Sequence, residues 1–220
     1  MLGLPLMFLT SLLAMATVAS LLIAWRLHRP QWAWAILGLA ALWVTGYVTL
    51  LVGTSLASHE KLLSLGEAKA FCGAYLDCHL HASVDEVRTA ATLGIPAREA
   101  RARGRFHVVT LRISSDARRA TLRPASLEAV VFDARGERFE RDLEAERALL
   151  GEPSRLDQAV GPSGFYTRTL VFDLPEGMHE SRLYVGESDC MVRLTELFLI
   201  GDEESLLHKR VLFRLREGRR

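Results

Sequence analysis

Hydrophobic and polar positions divide this chain into two unequal parts. From Leu2 to Trp25, and again from about Trp32 to Thr54, the residues are uncharged and mostly apolar. The six residues Arg26-Leu27-His28-Arg29-Pro30-Gln31 separate the two runs. Each run exceeds the ~20 apolar residues that a helix needs to cross a bilayer core. From residue 59 onward the pattern changes to short stretches of alternation broken by turn residues. The expected organisation is a transmembrane hairpin over residues 1–58, with helices at about 2–25 and 32–54 and a loop at 26–31, followed by one all-β domain over residues 59–220.

Arg26 and Arg29 are the only basic residues before Lys61, and basic loops stay preferentially on the cytoplasmic side. Trp25, Trp32 and Trp34 flank the same loop, where indole rings favour the headgroup level. The loop is therefore expected inside, with the N-terminus and residues 59–220 extracytoplasmic. A cleaved signal with its site at Ser55-Leu56-Ala57 is the competing expectation, against which stand the missing basic n-region and the length of the runs. Ala16, Ser20 and Ala24, and likewise Ala41, Thr45, Thr49 and Gly53, recur at four-residue spacing. Small residues at that spacing let helices approach closely, so these faces are expected to pack the hairpin or to meet another membrane protein.

In the second part, Arg105 to Ser114 alternates, with His107, Val109, Leu111 and Ile113 facing a core. Leu127 to Phe132, Phe165 to Leu174 and Arg182 to Val185 read as further strands, and Ser83 to Leu93 as an edge strand. Leu143 to Leu150 reads as one or two helical turns. Ser58 to Ala70 reads as a stalk, Met191 to Ile200 as a strand, and Leu206 to Leu215 as the closing strand. Many short strands with turn signals and no long helix predict a β-sandwich.

The order GRFHVVTLRISSDARRATL, LEAVVFDARGERFE, GFYTRTLVFDLPEGM and LYV resembles the telokin-like, immunoglobulin-like domains of bacterial surface proteins. Asp133-Ala134-Arg135-Gly136 matches the family's hairpin turn, and Phe172-Asp173-Leu174-Pro175 matches the end of its long strand. Ser114-Ser115-Asp116 departs from the family's Asn turn. The resemblance covers about residues 104–186. It implies an immunoglobulin-like sandwich held outside the membrane behind an anchor, with no assigned activity.

Charge narrows the partners. The chain carries 27 basic and 26 acidic residues, and without Arg26 and Arg29 the outer part is near −1, so no nucleic-acid footprint is expected. No nucleophile elbow, phosphate loop, H-E-x-x-H or dinucleotide fingerprint occurs, and no enzymatic activity is expected.

One segment concentrates reactive side chains, Phe71-Cys72-Gly73-Ala74-Tyr75-Leu76-Asp77-Cys78-His79-Leu80-His81. If it is extended from Leu76, Asp77, His79 and His81 share one face, and Cys78 and Leu80 the other. Cys72, Asp77, Cys78, His79 and His81 form a candidate copper or zinc set, since thiolates and imidazoles suit both ions. Structural disulfides are the alternative, joining Cys72 to Cys78 or Cys190 to either, and an odd count leaves one thiol over. A buried Cys78 with solvated histidines, and no bond or cofactor, is the third alternative. The leading functional expectation is a non-enzymatic module that binds another envelope protein. A metal or thiol-redox protein, and an accessory subunit docking through its hairpin, follow.

Overall fold

The computed structural model describes residues 3–71, 78–178 and 180–215. The chain forms two compact units, Met1–His59 with Arg193–Arg210, and Glu60–Val192 with Val211–Arg220.

In the first unit, α1 (Gly3–Arg26) and α2 (Pro30–Leu56) run for 24 and 27 residues. Pro30 sits in the first turn of α2, where its missing N–H costs nothing. Both helices are long and apolar enough to cross a membrane, and a signal sequence passes the same test. Most of their large apolar side chains, including Leu12, Val18, Leu22, Leu39, Leu42 and Val48, are exposed. On α2, Ala33, Ile36, Ala40, Trp43, Tyr47, Leu51 and Ser55 form a less exposed stripe, of which Trp43 reaches α1 while Tyr47 and Ser55 bond residues 198 and 205. The Trp43 indole N–H donates to Thr10 Oγ1 at 3.2 Å.

The stripe differs from the self-packing half of the small-residue expectation and leaves the other half, a meeting with another membrane protein, open. Ser20 and Ala24 are covered, but Ala16 is exposed, as are Ala41, Thr45, Thr49 and Gly53. A Cβ on Gly53 would meet nothing within 4 Å. The less exposed stripe of α2 mixes small and large side chains at a 3–4 spacing, and one indole hydrogen bond joins it to α1.

The second unit is a two-sheet sandwich. Its strands are β1 (Lys61–Leu63), β2 (Ala68–Phe71), β3 (Leu80–Ile95), β4 (Arg98–Ser115), β5 (Leu127–Phe132), β6 (Arg138–Phe139), β7 (Phe165–Leu174), β8 (Arg182–Glu187) and β9 (Val211–Arg214). One sheet has the order β1-β9-β8-β5-β6 and the other β2-β3-β4-β7. All pairings are antiparallel except β1 with β9. Val109, Leu111 and Ile113 of β4, Leu170 and Phe172 of β7 and Leu183 and Val185 of β8 meet in the core between the sheets. Alternate residues Phe106, Val108 and Val171 form a smaller core under α3 (Leu143–Leu150). This is why β4 is apolar on both faces over that stretch.

The second core is closed by polar contacts. Asp142 caps α3, its carboxylate accepting from the Ala145 N–H at 2.8 Å. Glu146 is fully buried and accepts from Arg141 at 2.9 and 2.6 Å, from the Ser154 N–H at 2.9 Å and from the Val171 N–H at 3.2 Å. Those bonds cover part of the outer edge of β7, which would otherwise present unpaired backbone groups.

Three elements differ from the sequence reading. The stalk contains β1 and β2, too short to show periodicity. β3 is longer than expected and is paired on both sides over its first residues. Met191 to Ile200 is not a strand: α4 (Cys190–Leu197) and a turn occupy it, and β9 begins only at Val211.

Candidate functional site

The β3–β4 register builds the candidate site. Leu80 pairs with Ser115 and His81 with Ser114, so the next step of the ladder sets His79 opposite Asp116. The Asp116 N–H closes that step by donating to the His79 carbonyl at 3.1 Å. Leu80 turns into the core, which puts both flanking imidazoles on the other face. Asp116 therefore lies directly across from His79 and diagonally from His81, positions close enough for side chains to interact.

The carboxylate bridges the two rings. His79 Nδ1 stands 2.6 Å from Asp116 Oδ1, and His81 Nε2 stands 3.4 Å from Oδ2. The hydrogen bond from His79 holds the Asp116 carboxyl below its ordinary range, and His81 adds to the effect. An ionised carboxylate only accepts, so His79 donates to it through Nδ1. His79 and Asp116 are exposed, His81 is half-buried, and Arg118 and Arg119 line the same open depression. The arrangement sets two imidazoles and a carboxylate in one depression with Arg118 and Arg119.

Of the proposed metal set, the structure brings together His79 and His81. Cys72 and Asp77 lie outside the described residues. Cys78 is half-buried and disulfide-bonded, so its sulfur is not a free thiolate ligand. Among the described residues no group of three or more His, Cys, Asp or Glu side chains is arranged to hold a metal ion. Cys190 is a free, exposed thiol at the start of α4, so a bond from Cys190 to either other cysteine is not formed. Asp116 escaped sequence reasoning, because 35 residues separate it from His81 and only the strand register joins them.

A second polar feature lies toward the β3–β4 turn. The chain from Glu99 to Arg105 alternates exposed and half-buried residues, with Arg101, Arg103 and Arg105 on the exposed side. The side chains of Arg101 and Arg103 are 83% and 95% exposed, and stand 3.4 Å from Glu99 and 3.5 Å from Asp173. Asp173 anchors the row from beneath, accepting from the Arg103 and Gly104 N–H groups at 2.8 and 3.1 Å.

No family model and no curated protein matches the chain. Among solved structures it is similar to the secreted protein MPT63 of Mycobacterium tuberculosis, at 13% identity over 59% of this chain and 92% of that one, with a TM-score of 0.43. It is similar to the yjhA protein of Bacillus subtilis, at 12% identity over 70% and 100% of the two chains, with a TM-score of 0.43. It is also similar to an uncharacterized beta-sandwich protein of Clostridium difficile 630, at 8% identity over 72% and 96%, with a TM-score of 0.41.

Proposed function

We propose that this protein is a non-enzymatic binding module of the bacterial envelope, anchored in the inner membrane by α1 and α2, with its sandwich on the extracytoplasmic side. The observation that carries the anchor is the exposure of apolar side chains around both helices. Water would penalise that surface at roughly 25 cal/mol per Å2 of apolar area, whereas acyl chains do not. Arg26, Arg29 and the indoles of Trp25, Trp32 and Trp34 support a cytoplasmic loop. The telokin-like, immunoglobulin-like resemblance of residues 104–186 agrees with a sandwich displayed behind an anchor.

The arginine row of β4 is the contact surface. Arg101, Arg103 and Arg105 present three exposed guanidinium groups, two of them beside Glu99 and Asp173, in a domain of near-zero net charge, and the row suits an acidic patch on a partner protein. The test is a photoactivatable cross-linking residue at position 101 or 105 of the full-length protein in cells. The expected result is one discrete adduct at both positions, none from position 67 on the β1–β2 turn, and loss of the adduct on R103E. Absence of any discrete adduct at 101 and 105 would contradict the reading.

Two other readings have an observation each. A copper or zinc role rests on the two imidazoles gathered at Asp116. Its measurement is elemental analysis of protein purified without chelator, wild type against the His79→Ala/His81→Ala pair. Docking into a larger membrane complex rests on Ala41, Thr45, Thr49 and Gly53, which α1 leaves uncovered. Exchange of both helices for an unrelated anchor would abolish partner recovery under that reading, and would spare it if the arginine row is the contact.

A further inference from the structure

The segment between α4 and β9 belongs to the same compact unit as the two long helices. Its contacts with them fall in a regular order. The Tyr47 hydroxyl donates to the Phe198 carbonyl at 2.6 Å. Ser55 Oγ and Ser205 Oγ share a buried hydrogen bond at 3.2 Å. The Ser58 hydroxyl accepts from the Lys209 N–H at 2.8 Å. The Ile200 carbonyl lies so close to Gly3 that a Cβ there would stand 2.5 Å from it. The chain thus descends along α2 to the level of Tyr47 and climbs back past its C-terminal end.

Those levels translate into depth. A bilayer core of ~30 Å takes about 20 helical residues, and counting from Trp34 it ends near Thr54. Tyr47 is seven residues earlier, about 10 Å inside that boundary at 1.5 Å per residue. Backbone at such a depth needs its polar groups satisfied by protein. The Tyr47 hydroxyl does this for the Phe198 carbonyl, one of the orphan acceptors after the end of α4. The outward side chains fit the same environment. Leu194 and Phe198 share one face and are 52% and 49% exposed, while Glu196 and Leu199 turn inward. Leu206 and Leu207 are 41% and 59% exposed, and Lys209 and Arg210 follow at the level of the helix end.

We propose that residues 194–207 are a re-entrant element of the outer leaflet. Leu194 and Phe198 face acyl chains, Asp202, Glu203 and Glu204 return to the watered boundary, and Leu206, Leu207, Lys209 and Arg210 stand at the headgroup level, where basic side chains are favoured. The occupant of this apolar surface is lipid, because the surface is continuous with the lipid-facing surface of the helices in one unit. The inference rests on the membrane-anchor reading.

The test is spin-label accessibility in the full-length protein, reconstituted in phosphatidylethanolamine–phosphatidylglycerol vesicles. Single labelling sites at positions 48, 194, 198, 203 and 207 are introduced in a Cys190→Ser background. Oxygen against a water-soluble nickel chelate reports lipid against water. The expected result is a several-fold higher oxygen-to-nickel ratio at 194 and 198 than at 203, an intermediate ratio at 207, and position 48 also in lipid. Tyr47→Phe is expected to lower the ratio at 198 while leaving 48 unchanged. Lipid exposure at 48 with water exposure at 194 and 198 would overturn the re-entrant element and leave the anchor standing. Water exposure at 48 would overturn the anchor, and this inference with it.

Discussion

Asp116 and Glu187 titrate in opposite senses, and each gives a distinct pH signature. Asp116 is held below its ordinary range by the His79 hydrogen bond, so its stabilising effect is present at neutral pH and is lost as the pH falls through its depressed value. Asp116→Asn should therefore lose stability near pH 7 and converge with the wild type in strong acid, as read by thermal unfolding of the full chain. Glu187 is buried, and desolvation raises its carboxyl above the ordinary value. Its contribution is present below the unfolded pKa and is lost as the pH rises through the raised one. Glu187→Gln keeps an acceptor for the Ala125 N–H, now bonded at 2.9 Å, and should melt higher than the wild type at pH 7 but not at pH 4. Glu146 is fully buried and holds several partners at once. Glu146→Ala leaves Arg141 without its buried partner and is expected to cost about 3–5 kcal/mol in chemical denaturation.

At the scale of elements, Gly104 is a fixed point. A Cβ there would stand 2.2 Å from the Leu174 carbonyl, so Gly104→Ala must displace β4 from β7 and is expected to cost about 1–3 kcal/mol. The elements that sequence reasoning located well are those with one dominant periodicity. β5 and β7 span the residues that their β-branched and aromatic runs predicted, and α3 matches its amphipathic octet. α4 was illegible because Met191, Val192, Leu194, Leu197, Phe198 and Leu199 satisfy helical and strand spacing alike. Its apolar residues also serve two environments, with Leu199 inward and Phe198 outward. β1 and β2 exist through tertiary pairing alone: three residues of β1 add to β9, and four of β2 to β3. The candidate site was half legible. The D-x-H-x-H pattern put His79 and His81 on one face correctly, but the group that joins them comes from the far end of β4. Strand register is a property of the whole sheet, and no local signal near Asp116 announces it.

At the scale of the molecule, two compact units are built from interleaved stretches of chain, since the polypeptide leaves the sandwich after Val192 and returns at Val211. The central claim is that the apolar helices anchor an extracytoplasmic sandwich. Cys190 offers a native probe, being a free and exposed thiol, whereas Cys78 is already bonded. The decisive measurement is labelling of intact cells with a small membrane-impermeant maleimide, read on protein that stays in the membrane after alkaline carbonate extraction. The account predicts labelling in intact cells that equals labelling after lysis and vanishes in Cys190→Ser. Labelling that appears only after lysis, or protein released by carbonate, would contradict it.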